Sequence, residues 1–245
     1  MPYQRLVKGF SAFRDQYFSE GNTDLFKDLI EKGQSPDTLV IACSDSRIEP
    51  ALLTSSKPGE FFAVRNVAAL VPPYSVGEGL QGTSSAIEFA VRCLEVKHVV
   101  VIGHAQCGGV NALMTGNYKA NRDDDFEFLE NWLGIGKDTK RVVNEMLSSA
   151  DDAQKGRALE QAMILTSLQN LTSFPWIRQR FEAGKLQLHG WYFDMDNGAL
   201  LEYNDAEGIF EPIDSPENAH EGVGVSPSLV SFLEQYAKGC GCKAA

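Results

Sequence analysis

Two apolar, β-branched runs stand out along the chain, Thr38-Leu-Val-Ile-Ala42 and His98-Val-Val-Val-Ile-Gly103. Both are continuous rather than alternating, as a strand buried on both faces of a parallel sheet requires. Phe61-Phe-Ala-Val64 is a third such run. Residues 83–95 take helical spacing, with Thr83 or Ser84 as the N-cap. Strand, strand, helix and strand joined by short links predict a parallel α/β sheet.

On either side of this segment the period is mostly helical. Residues 3–19 set Leu6, Phe10, Phe13, Tyr17 and Phe18 on a helix, Gly21-Asn22 breaks it, and 23–33 form a second. These two helices make an aromatic-rich arm that either packs on its own domain or docks on a neighbouring subunit. Helices are expected over 107–115, 125–134, 137–149 and 154–173, with Pro175 near the end of the last. A strand over 186–194 leads through the turn Asp196-Asn197-Gly198 into an antiparallel strand over 199–203. The stretch 214–225 reads as a loop, 227–237 as a helix, and Gly239-Cys-Gly-Cys242 as a flexible end. With no repeat and no linker, one domain is predicted: a helical arm over 1–34, a core over 35–205, and a C-terminal loop, helix and tail over 206–245. The fold class is α/β, a mostly parallel central sheet flanked by helices, with an antiparallel edge strand.

Composition narrows the function by exclusion. The 245 residues suffice to bury a sizeable core, and a net charge of −11 argues against nucleic acid and anionic membrane surfaces as partners. No apolar run approaches the ~20 residues of a membrane span. The N-terminal segment carries Arg5, Lys8 and Arg14 but no apolar region or cleavage site, so a cytoplasmic location is the expectation. Five cysteines are an odd number and make no disulfide framework, which leaves metal binding or redox chemistry for paired thiols. Cys93 falls mid-helix near Val91 and Leu94 and reads as core.

The candidate chemistry sits directly after the two longest apolar runs. Cys43-Ser44-Asp45-Ser46-Arg47 follows one, and His104-Ala105-Gln106-Cys107-Gly108-Gly109 follows the other. Ligands of an open parallel sheet bind beyond the carboxyl ends of its strands. Singly, a cysteine after a strand is a small buried hydrophobe and a histidine a satisfied polar group. Together, Cys43, His104 and Cys107 offer two thiolates and an imidazole, the donor set of a zinc site with an open fourth position. Asp45 is held ionised beside Arg47 and has two possible roles. It can orient a water on the metal while Arg47 fixes it by a bidentate contact, or it can take the fourth position itself. Gly108-Gly109 allows close backbone approach, and N–H groups there could hold a developing anion. His98, His189 and His220 read as structural, with a proton-shuttle role the lesser alternative for His189. The run Asp123-Asp124-Asp125 reads as a solvated helix start.

CSDSR with HxxCGG at this spacing resembles the β-class carbonic anhydrases. The resemblance extends through Gln34, Pro58-Gly-Glu60, Val64-Arg-Asn-Val67, Val71-Pro-Pro-Tyr74, Gly82-Thr83, Ala86-Ile-Glu88 and Ile102-Gly-His104, over roughly residues 25–203. It implies one zinc per subunit on Cys43, His104 and Cys107, with Asp45 and Arg47 as a catalytic dyad. It implies reversible hydration of carbon dioxide to bicarbonate by zinc-bound hydroxide. It further implies that Phe62, Phe89 and Val67 line an apolar substrate cleft and that Gln34 bonds a substrate oxygen. Many relatives have tyrosine where this chain has Phe89. Relatives also pair through the N-terminal helices, so a homodimer or tetramer with active sites at the subunit interface is expected. One subtype closes its site with the aspartate and binds bicarbonate through a tryptophan, an arginine and a tyrosine. Val40 and Phe193 stand at the tryptophan and tyrosine positions and only Arg65 remains, which points to the open subtype. Carbonyl sulfide or carbon disulfide is a rival substrate, and a zinc protein without turnover is a rival function.

Overall fold

A computed structural model of the chain describes residues 2–19, 24–77, 79–117, 127–213, 222 and 227–240. Asp123–Asp125, His220 and Cys242 lie outside these residues, as does most of the expected loop over 214–225.

The apolar runs become neighbouring strands. Thr38–Cys43 (β1) lies between Phe61–Asn66 (β2) and His98–His104 (β3), parallel to both. Gln187–Asp194 (β4) continues the parallel set on β3, and Ala199–Asn204 (β5) and Ile209–Pro212 (β6) add antiparallel strands beyond it. The order β2-β1-β3-β4-β5-β6 makes six strands among the described residues. The interior of β1 and β3 is buried throughout, Leu39 to Cys43 and Val99 to His104.

Helices cover the sheet. Asp152–Thr172 (α8) lies across β3 and β4 and opens with a reciprocal cap between Asp151 and Gln154. Its close approach depends on glycine: a Cβ on Gly103 would stand 2.7 Å from the Ile164 side chain, and one on Gly190 2.9 Å from Leu168. The remaining helices are Pro2–Phe18 (α1), Asp24–Lys32 (α2), Pro50–Leu53 (α3), Gly82–Glu88 (α4), Gly108–Thr115 (α5), Leu129–Leu133 (α6), Lys137–Met146 (α7), Pro175–Glu182 (α9) and Leu229–Cys240 (α10). In α1 and α2, Phe13, Tyr17, Phe18 and Phe26 pack on one another, while Tyr3, Leu6, Phe10 and Ile30 are exposed.

Several sequence expectations change. Pro175 does lie near the end of α8, but it also opens α9, a helix not anticipated, because proline at the first helical position loses no internal hydrogen bond. Gln81, not Thr83 or Ser84, caps α4, and it does so without a side-chain bond. The helix over 83–95 widens to a π-helical turn over Phe89–Cys93. Cys93 is exposed there, which corrects its reading as core. Strand β6 was not anticipated, because four residues ending in proline at a sheet edge give too short a signal.

Candidate metal centre

The β1–β3 pairing brings the two motifs together. Cys43 ends β1, His104 ends β3, and Cys107 immediately precedes α5. All three are buried, with Cys43 4%, His104 1% and Cys107 3% exposed. One ligand atom from each lies within 4.8 Å of the others. The two sulfurs are 3.9 Å apart. That is far too long for a disulfide and close to the ~3.8 Å between two thiolates bound tetrahedrally at ~2.3 Å from zinc.

The surroundings favour a thiolate at Cys43. Cys43 Sγ accepts from the Asp45 N–H at 3.4 Å and from the backbone of Ala68. Cys107 Sγ faces the backbone N–H groups of Gly109 and Val110 in the first turn of α5. As a bare pair the sulfurs share a proton: Cys107 donates to Cys43, which drives Cys43 well below the ordinary thiol range and holds Cys107 protonated. His104 Nδ1 lies 2.9 Å from the Ala105 carbonyl, so it carries the proton and Nε2 carries the lone pair. Nε2 is buried without a hydrogen-bond partner. An orphaned imidazole acceptor beside two sulfurs that share one proton fits a zinc ion, and among the described residues this is the cluster that could hold a metal.

The carboxylate lies beside this cluster and is paired with Arg47. Asp45 Oδ1 accepts from Arg47 Nε at 3.0 Å and from the Arg47 N–H at 2.9 Å, and Oδ2 accepts from Nη2 at 2.7 Å. Arg47 therefore holds the Asp45 carboxyl well below the usual carboxylate range. Oδ2 remains 3.9 Å from His104 Nε2, at the edge of the metal position. Val67 follows β2 directly and lies on the same side, since Asn66 pairs with Cys43. A Cβ on Gly109 would stand 2.8 Å from Val67, so glycine is needed for that approach, whereas Gly108 has open space around it.

Phe62 and Phe89 are elsewhere. Their rings meet at a tilt with centroids 5.7 Å apart, but Phe62 pairs with Leu39, four residues back along β1 from Cys43. That separation is about 13 Å at ~3.3 Å per strand residue. Gln34 is exposed ahead of β1. A single chain thus assembles Cys43, Asp45, Arg47, Val67, His104, Cys107 and Gly109, and leaves the aromatic pair at the other end of the strands. His189 is also remote. It bonds Glu202 at 2.7 Å and His98 at 3.2 Å, the latter at the start of β3.

Three features escaped the sequence reading. Arg65, expected only as a remnant of a regulatory pocket, donates to the carbonyls of Cys43, Asp45 and Ile48 and pairs with Glu49, so it clamps the loop that carries the dyad. Glu160 on α8 accepts from the Cys107 N–H at 3.1 Å and from Tyr192 Oη at 2.7 Å. Burial raises the Glu160 carboxyl. Ala68, Ala69 and Gln106 adopt left-handed backbone at φ 65°, 54° and 56°, which concentrates strain beside the ligands. A charged residue in or beneath a sheet was the available hint for Arg65 and Glu160. The strained alanines left none.

The chain is similar to known carbonic anhydrases. A family model described as carbonic anhydrase matches residues 38–200. A carbonic anhydrase of Synechococcus elongatus is 35% identical over 239 residues, 96% of this chain and 85% of the relative. The solved structure of the β-carbonic anhydrase CcaA superposes with a TM-score of 0.79 at 34% identity, covering 86% of this chain and all of that one. A tetrameric β-carbonic anhydrase of Sordaria macrospora has a TM-score of 0.61 at 27% identity, covering 82% of this chain and 93% of its own.

The chain belongs to the β-class carbonic anhydrases. Its activity is that of a carbonate dehydratase, the reversible hydration of carbon dioxide, and its Cys-His-Cys cluster is suited to the zinc on which that family depends.

Proposed function

We propose that Cys43, His104 and Cys107 hold one zinc ion per subunit and that Asp45 and Arg47 form the catalytic dyad of an open site. The observation that carries this reading is the pairing of Asp45 with Arg47 by two side-chain bonds, which supports an Asp45 held away from the metal. Zinc bound there supplies Lewis-acid activation of water near neutral pH. Asp45 Oδ2, ionised and aimed at that position, accepts a hydrogen bond and orients the reacting oxygen toward carbon dioxide. Arg47 keeps Asp45 from competing as a ligand. The Gly108 backbone N–H serves as a donor for the developing anion. Val40 and Phe193 offer no polar group for a regulatory bicarbonate, and Arg65 is committed to carbonyls and Glu49.

The apolar half of the site is supplied in trans. Phe62 and Phe89, together with Gln34, serve the metal centre of a second subunit, and the exposed apolar face of α1 docks on that subunit. This reading rests on their distance from Cys43 in one chain and on the exposure of Phe89 at 42%. The tetrameric Sordaria relative supports a dimer or a tetramer of dimers. Carbon dioxide and bicarbonate are the reactants. Among the described residues no helix is long and apolar enough to cross a membrane.

X-ray absorption or crystallography of the zinc-loaded protein above pH 8 tests the open site. Two sulfurs, one nitrogen and one exchangeable oxygen are expected. A zinc–Asp45 bond under those conditions overturns it.

A further inference from the structure

We propose that Asp196 is a positioning residue for the dyad, acting through Gln106 on Arg47. This rests on the dyad reading above. Arg47 Nη2, besides binding Asp45, donates to the Gln106 carbonyl at 2.8 Å. That carbonyl is aimed at Arg47 by a strained backbone, since Gln106 sits at φ 56° between His104 and Cys107. A non-glycine residue holds this conformation only when its surroundings over-determine it. The Gln106 side chain provides the constraint: Nε2 donates to Asp196 Oδ1 at 2.6 Å.

Asp196 is anchored in turn. It lies in the turn between β4 and β5, and its Oδ2 accepts from Arg157 Nη2 on α8 at 2.9 Å. Arg157 Nη1 also donates to Asp194 at 3.2 Å. Asp194, 8% exposed, takes the Asp196 N–H at 3.1 Å and the Asn197 amide at 2.9 Å. The connected order is Asp194, Arg157, Asp196, Gln106, Arg47, Asp45. Each link involves a charged partner, which makes it short and directional. The chain joins the turn after β4 to the turn after β3 and the loop after β1.

The links at Asp196 and Arg47 are substantially exposed, with side chains 42% and 48% accessible. Such contacts add little to global stability. Their consequence is geometric, because an error of about 1 Å in a positioned group can cost up to ~100-fold in rate. Losing Asp196 frees Gln106 to relax, withdraws its carbonyl from Arg47 and lets Asp45 drift from its aim.

A double-mutant cycle on the zinc-loaded protein tests this, reading carbon dioxide hydration by stopped flow together with zinc content and thermal melting. Asp196→Ala is expected to lower kcat about 5- to 20-fold with KM, zinc and melting unchanged, and Gln106→Leu to match it. Asp196→Asn, which keeps an acceptor for Gln106, should recover most of the loss. In an Arg47→Ala background, Asp196→Ala should cost no more than about twofold further. The 15N-detected Nε signal of Arg47 should also broaden or shift in Asp196→Ala. A full repeat of the loss in the Arg47→Ala background overturns the inference. So does an Asp196→Ala enzyme that matches wild type while Arg47→Ala is severely impaired. If Arg47→Ala itself turns over normally, the dyad reading fails first and this inference falls with it.

Discussion

The two ends of the parallel strands differ in how complete they are. At the carboxyl ends of β1 and β3, thiols, imidazole, carboxylate and guanidinium are buried or tied to one another, and their geometry suits zinc before any ligand arrives. At the amino end of β2, a half-buried Phe62 and an exposed Phe89 meet ring to ring, remote from any metal donor of the same chain. One chain therefore builds the polar cluster alone, while the aromatic pair, in the proposed reading, serves the centre of a second subunit. A buried polar cluster must satisfy its groups locally, whereas an apolar surface can be completed by another molecule.

Removing a ligand breaks the comparison hardest. His104→Ala or Cys107→Ala should abolish stoichiometric zinc, checked by metal analysis, and lower hydration by more than about 10³-fold, since the metal supplies the nucleophile near neutral pH. Next come Asp45→Ala and Arg47→Ala, which should keep zinc and lose about 10²–10³ in kcat, the range of a missing oriented polar group.

Disrupting the arm sharpens the contrast between the two ends. Phe10→Asp and Leu6→Asp together should shift the protein toward monomer in sedimentation. Zinc content should survive and hydration should fall at least about tenfold, because α1 touches no metal donor of its own chain. Retention of full activity by a monomer would show that the aromatic end is dispensable.

The acid limb gives a smaller effect. Arg47 lowers the Asp45 carboxyl in the folded state, so its contribution to stability is present above the unfolded value of ~3.9 and is lost as pH falls through the lower folded value. Acid unfolding of Arg47→Ala should start at higher pH than that of wild type, while no Asp45 titration should appear above about pH 5 in either. Least of all, Phe89→Tyr should change kcat/KM no more than about threefold, since it adds one hydroxyl to an exposed ring.

Legibility in the sequence followed the same division. Continuous β-branched runs ending in reactive residues gave β1, β3 and the whole polar half, because a buried strand and its terminal ligands are adjacent in sequence. Phe62 and Phe89, expected in a substrate cleft, could not be placed from the sequence. Their distance from Cys43 is set by the pairing of Phe62 with Leu39, which composition does not encode. Cys93 misled because a π-helical turn shifts the register of a helix face, and α9 was missed because proline can begin a helix as readily as follow one. The supports of the site, Arg65 and Glu160, lie 22 and 53 residues from the groups they hold and showed no local pattern.

The most direct test is stopped-flow carbon dioxide hydration from pH 6 to 9 by wild type and Asp45→Ala, each with its zinc measured. Equal, full zinc in both is expected, with wild type far above the buffer rate and Asp45→Ala about 10²-fold or more below wild type. Full zinc with no rate above buffer in wild type, or equal rates in the two proteins, would contradict a zinc centre that works through an Asp45 held by Arg47.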